Sequence, residues 1–289
     1  MFPSRESSPV LQPMPTKETI VSRSAHLSSL RKVLAIGAVL ATCFGLAPSA
    51  KAQTVEDIKK KGQLTVGMLV DFPPFGITNL EGQPDGFDAD IAKALAKHFG
   101  VKANIVPVTG PNRIPYLLTG KVDMLVASLA ITPERAKQVA FSDPYAGIRI
   151  VIYGKKDAAV KAPEDLKNVT VGVARASTQD VSVTAIAPQG TQIRRFDDDA
   201  SAVQALLSGQ VDVIGAATPV VGEIEKVAPG RFDTKLTLRG QVHGIALRPG
   251  QDELLKAVND FIAQEKASGA LNATYKKWVG TDLPELKKP

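Results

Sequence analysis

The run Ala127–Tyr145 (ASLAITPERAKQVAFSDPY) holds the residue types best suited to gripping a small anion. Its spacing predicts a strand end, a tight loop and a helix over 132–139. Thr132 suits the N-cap and Pro133 the first helical position, where no backbone donor is missed. Arg135 then sets a cation in the first turn, against the positive end of the helix dipole. An anion held between its guanidinium fork and the unpaired amides of Ser128, Leu129 and Ala130 would turn that penalty into a gain. An exposed arginine paired with Glu134 or another surface acid accounts for the same residues equally well.

Other chemistries find few side chains. The one cysteine, Cys43, and one of the three histidines lie in the first 52 residues. The remaining histidines, His98 and His243, are far apart in sequence and form no metal-ligand spacing, and no glycine-rich phosphate loop is present. His98 reads as a surface or boundary residue on a helix, and His243 as a residue that packs or hydrogen-bonds. The run Asp197-Asp198-Asp199 suggests either calcium or the cap of the helix that follows, and capping is the simpler reading. No metal and no cofactor are expected.

Residues 1–52 read as a leader. Arg31-Lys32 precede an apolar run from Val33 to Leu46, and Ala50-Lys51-Ala52 has the small-x-small pattern of a cleavage site. The run is shorter than the ~20 residues a membrane span needs. Cleavage after Ala52 predicts a periplasmic chain beginning at Gln53 and free of cysteine; lipidation at Cys43 is the less favoured alternative. The formal charge of +6 drops to +2 without the leader, too balanced for a nucleic-acid partner. The rest, 237 residues, has room for a sizeable core and two lobes.

The elements that must position Arg135 alternate. Strands are predicted at 64–70, 103–108, 122–129, 148–153, 169–174 and 211–217. Helices are predicted at 87–99, 112–118, 132–139, 178–187, 199–208 and 218–227. Such alternation implies parallel α/β sheets, and two rounds imply two lobes. The rounds share phrases: Leu118-Thr119-Gly120-Lys121-Val122-Asp123 recurs as Leu207-Ser208-Gly209-Gln210-Val211-Asp212, and Thr132-Pro133 as Thr218-Pro219.

Further phrases extend the pattern: Asp71-Phe72-Pro73-Pro74-Phe75, Gly86-Phe87-Asp88-Ala89-Asp90-Ile91, Phe141-Ser142-Asp143-Pro144-Tyr145 and Lys277-Trp278-Val279-Gly280. In this order the chain resembles the family 3 extracytoplasmic solute-binding proteins, the amino-acid-type receptors of ABC importers. The resemblance implies a two-lobed periplasmic-binding-protein fold, each lobe a mostly parallel sheet flanked by helices. Lobe 1 would be residues 53–146 with 244–289, lobe 2 residues 149–240, and two crossover hinge segments would join them. It implies a small-molecule ligand, an amino acid or related carboxylate, and an inner-membrane ABC permease as partner, with the receptor a monomer. Position by position, Arg135 matches the carboxylate clamp, Ser128 to Ala130 its amide partners, and Phe72 an aromatic lid, leaving Phe75 to the core. Ser177 and Thr178 match the hydroxyls that lobe 2 adds on closure.

Two departures matter. Receptors of this family usually carry an aspartate for the ligand's α-ammonium five residues after the lobe-2 Val-Asp, and that position here is Ala217. Ala130 likewise stands where a Ser or Thr often adds a hydroxyl. Arg175 would add positive potential or be a solvated loop residue. The expected ligand is therefore anchored chiefly as an anion, unless Asp71 or another acid moves in. Some relatives are secreted cyclohexadienyl dehydratases that protonate a leaving group with a cleft acid. The position that would supply that acid is again Ala217, so binding without catalysis is the expectation.

Overall fold

Asp123 and Asp212, the last residues of the repeated phrase, do the same job twice. Each accepts a hydrogen bond from a threonine amide near the start of a neighbouring strand: Thr65 N to Asp123 Oδ2 at 2.7 Å, and Thr170 N to Asp212 Oδ2 at 3.0 Å. Each then donates its own amide to the carbonyl of that same threonine. A lysine completes each site, Lys61 at 3.1 Å and Lys155 at 3.0 Å. The sequence repeat is thus a repeated strand-register device.

The computed structural model describes residues 52–287; the leader, with its apolar run, cleavage site and Cys43, lies outside the described residues. The chain runs α1 (Val55–Lys61), β1 (Gln63–Leu69), β2 (Ile77–Thr78), β3 (Pro84–Asp85), α2 (Phe87–His98), β4 (Lys102–Val108), α3 (Arg113–Leu118), β5 (Met124–Leu125) and α4 (Pro133–Ala136). It continues with β6 (Ala140–Lys155), β7 (Thr170–Ala174), α5 (Thr178–Ile186), β8 (Gln192–Phe196), α6 (Asp199–Leu207), β9 (Val213–Ala217), α7 (Thr218–Val227), β10 (Phe232–Leu247), α8 (Asp252–Ala267) and α9 (Ala270–Val279).

Eight strands form one sheet in the order β4-β1-β5-β10-β6-β9-β7-β8. β4, β1 and β5 are parallel, as are β8, β7 and β9. Between the two parallel groups run β6 and β10, each 16 residues long and antiparallel to one another. β5 joins this ribbon at Ala246, and β9 joins it along Ile150–Gly154. The architecture is the two-lobed α/β one that the resemblance implied. The crossovers, however, are a long ribbon of strand.

That ribbon corrects the predicted start at Ile148: the strand begins at Ala140 and carries Pro144 within it. Pro144 faces Gly244 where the register shifts, a bulge at which a missing N–H is tolerated. Nearby, 122–129 is buried throughout but forms only the two-residue β5. The helix predicted over 132–139 stops after one turn because the chain must enter β6. α1, β2, β3, β8, β10, α8 and α9 have no counterpart among the predicted elements.

The core beneath β1 is aromatic. Phe75 packs edge-on against Phe87, His243 and Tyr275, with ring centroids 5.4–6.2 Å apart. Phe87 also stacks on Tyr145 at 5.9 Å. Such pairs add about 0.5–1.5 kcal/mol each beyond their buried area. His98 is exposed, as predicted, with its ring against Phe99 and Phe261.

Candidate functional site

Leu69, Phe72, Arg113, Ser128, Arg135, Ser177, Thr178, Gln179, Asp199 and Gln241 surround one small cavity at the strand ends. That is where ligands of open α/β sheets bind. Its volume, about 20 Å³, holds one water.

Phe72 reaches the cavity because its loop is pinned to the start of α2. Phe87 N donates to Pro74 O at 3.1 Å and Asp88 N to Phe75 O at 2.8 Å. Gly86 allows this approach: its φ is 120°, and a Cβ there would lie 2.5 Å from the Phe75 carbonyl oxygen. Phe75 is fully buried, while Phe72, itself buried at 3% exposure, also lines the cavity.

Thr132 caps α4, its hydroxyl accepting from Arg135 N at 3.3 Å. Arg135 extends from that turn and donates to Ala130 O at 3.2 Å and Ala176 O at 3.0 Å. The latter carbonyl belongs to the loop leading into α5, so the fork spans from one parallel-strand group to the other. Burial, Arg113 and Arg239 bring its pKa down to about 9. Ala176 has φ 54° and Ser128 φ 48°, a left-handed conformation that costs about 1–3 kcal/mol for a non-glycine residue. Both strained residues flank the fork.

Ser128 is held by two partners. Its hydroxyl donates to Asp88 Oδ2 at 2.7 Å, and Tyr145 donates to Asp88 Oδ1 at 2.8 Å. Burial pushes the Asp88 carboxyl up to about 6 against these hydrogen bonds. The Ser128 amide points at the Tyr145 hydroxyl, 3.3 Å away, which corrects the expectation of three free amides. Ala130 does not line the cavity and offers its carbonyl to Arg135. Ser177 caps α5, accepting from Asp180 N at 3.0 Å while donating to Ala174 O at 2.6 Å. Thr178 lies beside it, bonded to Gln179.

The structure brings Arg135, Ser128, Phe72, Ser177 and Thr178 together and leaves others apart. Ala217 ends β9 opposite Ile150, fully buried and outside the cavity lining. Arg175 is exposed and pairs with Asp197 at 3.2 Å, the solvated-loop alternative. Asp71 flanks the cavity, with Oδ1 buried and without a hydrogen-bond donor. Burial and the nearby Asp198 raise its pKa.

Five lining residues went unnoticed: Leu69, Arg113, Gln179, Asp199 and Gln241. Arg113 is 5% exposed and donates to Gly110 O and Ala127 O. It opens α3 just as Arg135 opens α4, so the dipole argument applied to Arg135 would have found it. Asp199 lines the cavity, its carboxyl pushed up to about 7 by burial and by Asp71. Gln241 comes from β10. His243, two residues on, is fully buried, and burial with the charges of Arg113 and Arg135 holds its imidazole down to about 3. Among the described residues no group of His, Cys, Asp or Glu is placed to hold a metal ion, and no helix is long and apolar enough to cross a membrane.

The chain is similar to characterised proteins over most of its length. The L-cystine-binding protein TcyJ of Escherichia coli is 30% identical over 262 residues, covering 90% of this chain and 98% of the relative. The ABC transporter glutamine-binding protein GlnH of Bacillus subtilis is 33% identical over 243 residues, covering 82% of this chain and 88% of the relative. An ancestral amino acid-binding protein, described as a precursor of cyclohexadienyl dehydratase, superposes with a TM-score of 0.74 at 38% identity, over 78% of this chain and all of that one. The model of the bacterial extracellular solute-binding proteins, family 3, matches residues 64–281. With that span and this cleft, the chain belongs to family 3 of the bacterial extracellular solute-binding proteins.

Proposed function

We propose that this solute-binding protein captures an amino acid or related small carboxylate outside the cytoplasm and delivers it to the permease of an ABC importer. The observation that carries the reading is the Arg135 fork at the cavity, a bidentate cation matched to a carboxylate. The amides of Leu129 and Ala130, which have no backbone acceptor among the described residues, stand next to it. Phe72 would cover the ligand's apolar part, and Ser177 and Thr178 would approach from the other lobe.

Lobe 1 comprises residues 53–146 and 244–289, and lobe 2 residues 149–240, with the middle of the β6–β10 ribbon as hinge. A ligand larger than one water must draw Arg135 away from Ala176 to enter. Closure over it is then driven only by contacts better made in the closed form. The leader directs export, and the receptor acts as a monomer without catalysis. A second reading, acid-assisted dehydration of a cyclohexadienyl acid, draws on Asp199, whose raised pKa suits proton donation.

The test is a thermal-shift panel of amino acids and carboxylates on protein unfolded and refolded to strip carried ligand. A ligand at 100 times its Kd stabilises by about 2.7 kcal/mol, which moves Tm by several degrees. No shift with any member overturns the receptor reading. Turnover of a cyclohexadienyl acid by the same preparation would favour the second reading.

A further inference from the structure

Ala217 removes the acid that receptors of this family usually set against a ligand's ammonium group, yet the cleft does not lack acids. Asp199 opens α6 on the cavity wall. Its bond from Gln179 Nε2, 3.2 Å to Oδ1, is the only hydrogen bond it receives among the described residues. It is not needed as a cap, because Asp198 already accepts from Ser201 N at 2.6 Å. Asp71 lies within electrostatic reach of Asp199, and its buried Oδ1 lacks a donor.

The neighbouring cation does not satisfy these acids. Arg113 directs its hydrogen bonds to the carbonyls of Gly110 and Ala127, so it offers Asp71 and Asp199 charge but no hydrogen bond. Cleft acceptors are therefore in excess, while the guanidinium of Arg135 donates to the carbonyls of Ala130 and Ala176. A cationic group on the ligand would bring donors to these acceptors, which a bare carboxylate cannot do.

We propose that Asp199, with Asp71 behind it, is the acceptor for the ligand's cationic group, so that the substrate class is an amino acid and not a bare carboxylate. The proposal rests on the reading of Arg135 as the carboxylate clamp. It reverses the expectation drawn from Ala217: the acid is supplied from the start of α6 in place of the end of β9. Burial, Asp71 and Asp198, with Arg113 opposing them, raise the Asp199 carboxyl to about 7, so seating an ammonium there below that pH expels a proton.

The experiment is calorimetric titration of the purified protein and its Asp199→Asn variant with amino acids, each paired with its desamino carboxylate. The unsubstituted protein should prefer an amino acid over its desamino partner. Asp199→Asn should weaken the amino acid about tenfold or more, the loss of one charged hydrogen bond, and leave the desamino partner nearly unchanged. If Asp199→Asn fails to fold, the unsubstituted protein still reports. Its binding heat in two buffers of different ionisation enthalpy should reveal proton release near pH 6 with the amino acid. An unchanged amino-acid affinity in the variant, or no proton release, overturns the assignment while the receptor stands. Preference for the desamino partner overturns it too. Failure of the unsubstituted protein to bind either ligand refutes the clamp reading beneath it.

Discussion

Arg135 and Ala176 meet at 3.0 Å, a guanidinium nitrogen from the turn after β5 on a carbonyl oxygen from the loop into α5. The carbonyl belongs to a residue in left-handed conformation, so a contact across the cleft depends on local backbone strain. A carboxylate would offer the same fork a charged acceptor of the right geometry. Arg135→Ala should cost at least about 100-fold in ligand affinity, from loss of a bidentate charged contact. The far-ultraviolet circular dichroism should be unchanged, since the side chain is only partly buried. Arg135→Lys should recover little, because a point charge does not reproduce the fork.

The loop that carries Phe72 depends on Gly86. Gly86→Ala sets a methyl 2.5 Å from the Phe75 carbonyl oxygen in a backbone conformation that L residues avoid. The strain should lower stability by about 1–3 kcal/mol and displace Phe72. Denaturant melts and ligand titration should therefore worsen together, whereas Phe72→Ala should reduce affinity with a smaller loss of stability.

Stability should depend on pH through Asp199. Its folded-state pKa of about 7 exceeds the unfolded value of about 3.9. Between these values the folded chain holds a proton that the unfolded chain has released, so this group's contribution to stability falls as pH rises from 4 to 7. Asp88 acts with the same sign up to about 6. His243, held near 3, has the opposite sign: the unfolded chain takes up a proton below about 6.5 that the folded chain refuses. The clean readout is a difference. The Tm of Asp199→Asn minus that of the unsubstituted protein should increase from pH 5 to pH 8, and a flat difference would mean that Asp199 titrates normally.

The repeated strand anchors should not be equivalent. Asp123 accepts from Thr65 N, Gln53 and Lys61, and its side chain is 8% exposed; that of Asp212 is 39% exposed. Asp123→Asn should therefore destabilise by about 1–3 kcal/mol and Asp212→Asn by less, measured by urea melts.

Much of this was legible in the sequence because its signals are local. Thr132-Pro133 marks a helix start wherever it occurs, and the Gly-Lys-Val-Asp phrase marks a turn into a strand. The length of β6 was hidden because Pro144 reads as a break, and only pairing with Gly244 across a register shift shows that it is not. Asp199 was hidden for another reason. In an Asp-Asp-Asp run one residue caps the helix, one pairs with Arg175 and one enters the cleft, and local sequence cannot say which. Under the proposal made for Asp199, the missing acid at Ala217 carries no information about an acid supplied from another element.

The most direct test of the account compares one ligand in two charge states. Once the amino acid that shifts Tm most is known, its carboxamide, which keeps the ammonium and loses the carboxylate charge, is titrated against the same protein. The Arg135 clamp predicts an affinity loss of about 100-fold or more. Equal binding of acid and carboxamide would contradict it and leave the cleft's central arginine without a role in recognition.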